Sequence, residues 1–411
     1  MRDPSFMPYV GIDVGTSAVR VIIGAPDQNN PGKLSVIGHA LAANNGMRRG
    51  MVVHIDDAAE AITQAVTEAE RLSGVRIQGG TVNINGAHVS GMNSKGVIAI
   101  SSANREITVE DRLRVEEAAA IVQLPSNREI IQVFAQNYRL DGQDNIKDPV
   151  GMHGVRLEVD THIVTAATPN LRNLDMSFEK AQVAIHNHTL SGLAAAEAVL
   201  SRQQKEAGTL LLDIGAGTTN LVVLEDGEVQ HVAVLPIGGM HITNDLAIGL
   251  KTELDVAEAV KIHHASLIPL STKRDVRVKV SSKEFVSFKS EDVAMITEAR
   301  VDELFDYVGK ELARIHRAHK LPGGVVLVGG TAKLPGIAEF AREKLQLASR
   351  VGKLQPLSGL VDTVADPSFC TAVGLMSLDM LLEPEVEMPK MAKPADRALK
   401  LVDNLLRRFR R

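Results

Sequence analysis

A chain of 411 residues, 45% of them apolar, exceeds one ordinary domain and has enough apolar side chain for packed cores. A net charge of −5, few aromatics, no tryptophan and no basic patch interleaved with aromatics exclude a general nucleic-acid binder. The single cysteine, Cys370, excludes an internal disulfide and a cysteine-based metal centre, and is expected to pack as a small apolar residue.

Residues 10–24, VGIDVGTSAVRVIIG, read as an apolar strand ending at Asp13, a small-residue turn with Gly15, Thr16 and Ser17, and a β-branched exit strand. After the turn PDQNNPGK, a strand is expected over 34–40. Ala58, Ala61, Ile62, Ala65, Val66 and Ala69 carry the spacing of an amphipathic helix over 57–72, stopped by Gly74, and a strand over 81–85 follows. This is the start of a layered α/β domain. From about 86 to 164 the texture changes to a small α+β module. It has a strand over 95–101, a helix capped by Thr108 and running to 122, and long strands over 128–140 and 155–166, with the turn-rich DGQDNIKDPVGMHG between the last two. The first domain resumes near 168 with a proline-initiated helix over 171–181 and another over 192–203.

The second half opens on residues 210–224, LLLDIGAGTTNLVVL, again strand, Asp213, small-residue turn and strand. A strand over 228–236, the turn Ile237, Gly238, Gly239, and helices over 241–250 and 255–263 come next. A charged, β-rich stretch over 274–288 leads to a helix over 291–319, and then to the apolar strand GGVVLVGG. His186, His188, His263 and His264 have no carboxylate at ligand spacing and read as turn or helix surface rather than a metal site. Lys147 and Asp148 read as turn chemistry. EPEVEMPKMAKPAD has the composition of a flexible linker before RALKLVDNLLRRFRR.

A glycine-rich turn after a buried strand is by itself only a turn. Two related hairpins, one early and one at mid-chain, suggest a duplicated core whose halves face each other across a nucleotide. Gly215, Ala216 and Gly217 put nothing bulky between backbone N–H groups and a phosphate, and Thr218 and Thr219 add hydroxyl donors. Asp213, like Asp13 in the first copy, stands at the edge of its turn, placed to hold Mg²⁺ through water.

The two hairpins, the Gly238–Gly239 turn, a helix with Glu258 and Lys261 one turn apart, and an apolar strand ending in Gly329, Gly330 and Thr331 together resemble, in that order, the actin-like ATPase superfamily. Without it, Glu258 and Lys261 read as a surface pair on a helix. The resemblance implies that the hairpins clasp the phosphates of ATP, that the glycine turns lie beside base and ribose, and that Glu258 and Lys261 line the nucleoside pocket. The module, above all DPVGMHGVRLEV, and the stretch GGMHITNDLAIGLKTELDVAEAVKIHHASL are similar to the matching segments of the FtsA family of bacterial cell-division proteins, and the likeness covers nearly the whole chain.

That resemblance implies an α/β, actin-like fold: a duplicated RNase H-like core with an inserted small α+β (SHS2-like) subdomain and a C-terminal amphipathic helix. Its parts would be subdomain 1A (1–85, 165–207 and 368–383), 1C (86–164), 2A (208–244 and 321–367), 2B (245–320), a linker (384–396) and the helix (397–411). It further implies an ATP- and Mg²⁺-binding protein that self-associates into filaments on the cytoplasmic membrane at the division site. Subdomain 2B would receive the C-terminal tail of the tubulin-like protein FtsZ through Arg300 and Glu303, which read equally as solvent-facing helix charges. Subdomain 1C would contact neighbouring subunits and later division proteins. Where relatives place a water-positioning Glu or Gln, this chain has Ser191, a poor base. Asn220 and Ala216 also depart from the usual Asp and Gly, and Glu197 reads as structural. Binding of ATP is expected, with at most weak hydrolysis.

The terminal segment can be judged without the family. Wound as a helix, Leu399, Val402, Leu405, Leu406 and Phe409 share one face, while Arg397, Lys400, Arg407, Arg408, Arg410 and Arg411 flank it or crowd its end, the pattern of a helix lying in a membrane surface. Packing on the protein's own body or on a partner is the alternative. MRDPSFMPYV lacks the apolar stretch of a signal peptide and no uncharged apolar run could cross a bilayer, so a cytoplasmic chain with peripheral membrane contact at the anionic inner surface is expected. The alternatives at the level of function are a sugar-kinase or Hsp70-type ATPase on the same core, and a pilus-assembly adaptor of the PilM type.

Overall fold

The computed structural model describes residues 8–27, 33–270, 272, 275–279 and 285–382. The linker over 384–396, the terminal helix with its apolar and arginine positions, and most of the turn PDQNNPGK lie outside the described residues.

The chain begins with strands β1 (Tyr9–Val14), β2 (Ala18–Pro26) and β3 (Leu34–Ala43), a two-stranded ribbon of β4 (Met47–Arg48) and β5 (Met51–Val52), helix α1 (Ile55–Ser73) and β6 (Gly79–Ile84). Helix α1 buries the stripe read from its spacing, Ala58, Ala61, Ile62, Ala65, Val66 and Ala69, and stops where Gly74 turns left-handed at φ 65° and donates its N–H to Glu70. The inserted module is β7 (Ser90–Ala99), α2 (Val109–Ala120), β8 (Arg128–Leu140), β9 (Gln143–Ile146) and β10 (Arg156–Ala167). Thr108 and Asp111 form a reciprocal capping box at the start of α2. Then follow α3 (Thr168–Ala181), β11 (Ala184–Leu190), α4 (Ser191–Val199) and α5 (Arg202–Ala207).

The second half carries β12 (Thr209–Ile214), β13 (Thr219–Glu225), β14 (Glu228–Leu235), α6 (Gly239–Leu250), α7 (Leu254–His264), the hairpin β15 (Asp275–Lys279) and β16 (Phe285–Lys289), and α8 (Ser290–Arg314). It closes with β17 (Gly324–Val328), α9 (Ile337–Leu345), β18 (Ser349–Val351), β19 (Ser358–Gly359), α10 (Val361–Val364) and α11 (Cys370–Leu381).

The duplication is visible in the sheets. The first runs β11-β6-β1-β2-β3-β19 and the second β14-β13-β12-β17-β18. In each, a central strand pairs antiparallel with the strand its hairpin leads to and parallel with a strand on its other side. The module forms its own antiparallel sheet, β7-β10-β8-β9, with α2 against it. One apolar core runs under both halves: α4 and α11, with Leu193, Ala194, Ala195, Val373 and Leu375 fully buried, lie between the two sheets alongside Leu211 and Val222. Each such aliphatic side chain contributes about 1.5–3 kcal/mol when fully buried.

Several sequence expectations are corrected. The helix expected over 192–203 is broken, because Leu200 is extended and Ser201 caps a separate α5 by accepting from Gln204 N. Helix α8 ends at Arg314 rather than 319, since Ile315 leaves the helical region and His316 turns left-handed. The module's first strand starts at Ser90, not 95, and a short strand, β9, lies within the stretch read as turns. His186 and His188 sit on a parallel strand, β11, instead of a turn or helix surface.

Candidate functional site

Each hairpin is closed by the same backbone bond. Gly15 N donates to Ala18 O at 3.0 Å, and Gly215 N donates to Thr218 O at 2.9 Å. The two tips meet: a Cβ on Gly217 would lie 2.8 Å from Thr16 Oγ1 and 3.0 Å from the Cα of Arg49, in the β4–β5 turn. Thr16 Oγ1 accepts the Gly50 N–H at 2.9 Å, and Thr218 Oγ1 accepts from Asn85 Nδ2 at 3.0 Å. Ser17 is exposed and its carbonyl accepts the Asn44 N–H. Thr219 departs from its expected place as a donor to phosphate. It is fully buried and gives its hydroxyl to Ile237 O at 2.8 Å, which leaves Thr218 as the hydroxyl at the tip.

The remaining glycines press the second half onto its hairpin. Gly239 N and Met240 N, at the start of α6, donate to Gly215 O and Ala216 O at 2.9 and 2.8 Å. A Cβ on Gly238 would stand 2.6 Å from Gly215 O, so no side chain fits there. After β17, Gly329 takes φ 87° and backs directly onto Asp213, where a Cβ would lie 2.5 Å from Oδ1. Gly330 opens a short 3₁₀ turn, and Thr331 Oγ1 in that turn donates to Gly215 O at 3.0 Å.

Asp13 and Asp213 are both buried beside this junction. Burial, with the charge of Asp213 adding to it and Arg20 pulling the other way, raises Asp13 to about 7. Arg20 lies 3.9 Å from Asp13 Oδ2 and stacks over the Phe369 ring. Burial also raises Asp213, although Asn220 Nδ2 and Thr371 Oγ1 donate to its Oδ2 at 3.2 and 3.3 Å. Two buried carboxylates that repel each other and share one arginine form a donor set that fits a hard divalent cation keeping most of its waters. Among the described residues no three His, Cys, Asp or Glu side chains converge as a closed metal cage, and none of the four histidines named above joins one. His186 instead meets Asp379 at 2.9 Å and His188 meets Asp175 at 2.9 Å.

Glu258 and Lys261 are brought to the same mouth. Lys261 Nζ reaches Glu258 Oε2 at 2.6 Å, Thr243 Oγ1 at 2.8 Å and Gly239 O at 3.2 Å, so the pair ties α7 to the start of α6 beside the glycine turn. Ser191 is buried at the first turn of α4, accepting from Asn83 Nδ2 at 3.0 Å and donating to Ile84 O at 3.3 Å. Glu197 pairs with Lys205 at 2.7 Å, a structural role. On α8, Arg300 is bidentate with Asp245 and also pairs with Glu303. Asp148 accepts from Val150 N, a turn contact, whereas Lys147 departs from the turn reading and donates across to Asp226 O, between β13 and β14 of the second half. Cys370 is buried at the start of α11, and burial pushes its thiol up, out of the reactive range.

Sequence reasoning missed Arg20, Asn85, Thr243 and Thr371. Arg20 was within reach, since hairpin register puts it directly opposite Asp13. Thr371 gave no local signal: it meets Asp213 only because α11 returns from the far end of the chain.

Two halves with the same strand order, joined over shared helices and meeting at paired Asp-glycine hairpins, define an actin-like fold. Solved structures share it. The chain matches the PilM–PilN type IV pilus biogenesis complex with a TM-score of 0.65 at 16% identity, covering 90% of this chain and 98% of that one. It matches MreB5 of Spiroplasma citri bound to ADP with a TM-score of 0.53 at 12% identity, over 90% and 95%. The family profile described as "Cell division protein FtsA" matches residues 210–374, and that of the "SHS2 domain inserted in FTSA" matches residues 86–165. The chain is 35% identical over 370 residues to cell division protein FtsA of Pseudomonas aeruginosa, covering 89% of this chain and 88% of that protein. It is 37% identical over 371 residues to that of Bacillus subtilis, covering 90% and 82%. The chain belongs to the FtsA family of cell-division proteins.

Proposed function

We propose that this cell-division protein binds ATP with Mg²⁺ between its two hairpins, assembles into filaments, and tethers FtsZ to the inner face of the cytoplasmic membrane, where later division proteins join it. The observation that carries the nucleotide part is the meeting of Gly217 with Thr16 directly beside the buried pair Asp13 and Asp213. Gly15, Thr16, Ser17, Gly215, Ala216, Gly217 and Thr218 hold the phosphates, the aspartates hold Mg²⁺ through water, and Gly238, Gly239, Glu258, Lys261 and the Gly329–Thr331 turn border the nucleoside. The actin-like MreB5 structures with ADP and with AMPPNP support a nucleotide in this fold. With Ser191 buried and engaged, turnover is slow.

The subdomain limits given above serve as the working division of the chain. The FtsZ tail binds on the α6–α8 side, around Arg300 and Glu303, where Ile248, Met295 and Tyr307 leave apolar surface exposed. No helix of the described residues is long and apolar enough to cross a membrane, so attachment rests on the amphipathic pattern of residues 397–411. One such helix binds reversibly and a filament displaying many binds firmly. Flotation with anionic liposomes tests this. The full chain should float, cooperatively with ATP, and a chain ending at Pro394 should not. If both stay in solution, the anchoring role fails.

A further inference from the structure

The end of β6 carries two asparagines that reach both hairpins. Asn83 Oδ1 accepts the Val14 N–H at 2.7 Å, and its Nδ2 donates to Ser191 Oγ. Two residues on, Asn85 Oδ1 accepts the Gly86 N–H at 2.7 Å, which fixes which end of the amide faces outward. Asn85 Nδ2 therefore donates, and it donates to Thr218 Oγ1 at 3.0 Å, in the other half. Thr218 is 2% exposed, so this partner matters. With its oxygen accepting from Asn85, the hydroxyl keeps its own proton to donate elsewhere. The first hairpin repeats the arrangement, since Thr16 Oγ1 accepts the Gly50 N–H. The two turns that supply these donors adjoin, as a Cβ on Gly50 would lie 2.8 Å from Gly86 N.

We propose that Asn85 is a positioning residue: it aims the Thr218 hydroxyl at the phosphates of a nucleoside triphosphate, and so makes the phosphate grip depend on both halves standing together. The proposal rests on the nucleotide reading given above. Parting the halves breaks the Asn85–Thr218 bond and releases the hydroxyl from its orientation, so triphosphate binding and closure favour one another.

The test is ATP affinity of the full-length chain with Mg²⁺, measured for wild type, Asn85→Ala, Thr218→Val and the double variant. Loss of one neutral hydrogen bond predicts a weakening of about 5- to 10-fold in each single variant. The double variant should fall no further than the worse single, because the two side chains act as one unit. Asn85→Asp is nearly isosteric and can still accept from Gly86. It would instead accept the Thr218 proton, and it should bind ATP more weakly than Asn85→Ala while melting close to wild type. This variant keeps the test decisive if alanine fails to fold. Wild-type affinity in Asn85→Ala and Asn85→Asp, or losses that multiply in the double variant, overturns the proposal and leaves the nucleotide reading intact. Failure of wild type to bind ATP overturns both.

Discussion

His162 Nε2 accepts the backbone N–H of Val232 at 3.1 Å, pinning β10 of the inserted module to β14 of the second half. Its Nδ1 faces Asn93 Oδ1 at 2.7 Å, so the neutral ring donates to the asparagine and accepts from the strand. Burial, with His231 and Arg314 nearby, holds His162 down at about 3. Between there and the ordinary histidine value of 6.5 only the unfolded chain binds this proton, so the stability linked to it is full above 6.5 and is lost as pH falls toward 3. His162→Ala should flatten the fall in stability between these limits. At pH 8 it should cost about 1–3 kcal/mol, the penalty of an unpaired buried N–H. Urea unfolding across pH measures both, and a slope equal to the parent's contradicts the account.

Asp13 has the opposite sign. Its folded value of about 7 lies above the ordinary 3.8, so in that window the folded chain holds the extra proton. The part of the ligand-free stability linked to Asp13 is therefore full below 3.8, falls as pH rises toward 7, and is flat beyond. Asp13→Asn should raise the melting temperature at pH 8 by several degrees and give no gain near pH 3.5, while abolishing Mg²⁺-dependent nucleotide binding. Magnesium nucleotide favours the charged carboxylate, so its uptake at pH 6 should release a proton that is absent at pH 9. Titration calorimetry in buffers of different ionisation enthalpy reads that proton directly.

Gly217→Ala tests the meeting of the hairpins. The new methyl would stand 2.8 Å from Thr16 Oγ1, and relief requires the two halves to move apart. Nucleotide affinity should fall by about 100-fold, the scale of a displaced binding geometry, with little change in thermal stability. An affinity within a factor of two of wild type would show that the cleft closes elsewhere.

Both hairpins were legible because their strands are apolar runs cut off by aspartate and small residues, a local signal that β1–β2 and β12–β13 obey. The module's strands and α2 were legible for the same reason. Helix α11 was not, because it is buried nearly all round, from Cys370 through Met376 to Leu378, and shows no helical stripe. Strand β11 was hidden by its polar residues, two of which meet carboxylates on other elements: His186 bonds Asp379 on α11, which Thr81 of β6 also bonds, and His188 bonds Asp175 on α3. What the sequence could not display at the site were contacts of this long-range kind, Thr371 on Asp213 and Asn85 on Thr218.

The packing of α11 gives the last prediction, in which two physical effects oppose each other. A glycine inside a helix is costly, and Gly374→Ala by helix propensity alone should stabilise the protein by about 1 kcal/mol. A Cβ at 374, however, would sit 1.7 Å from the carbonyl oxygen of Ala194 on α4, backbone that cannot swing aside. Helix α11 is also close to β1, where a Cβ on Gly11 would lie 2.2 Å from Ala372 O, so the helix has little room to retreat. Overpacking of this kind costs about 1–3 kcal/mol and more where backbone must move, so packing wins. Gly374→Ala should lower the melting temperature by ~1–4 °C. Because Thr371 on the same helix holds Asp213, it should also weaken Mg²⁺-dependent nucleotide binding. A melting temperature at or above wild type would mean that α4 and α11 stand further apart than their glycine and alanine faces indicate.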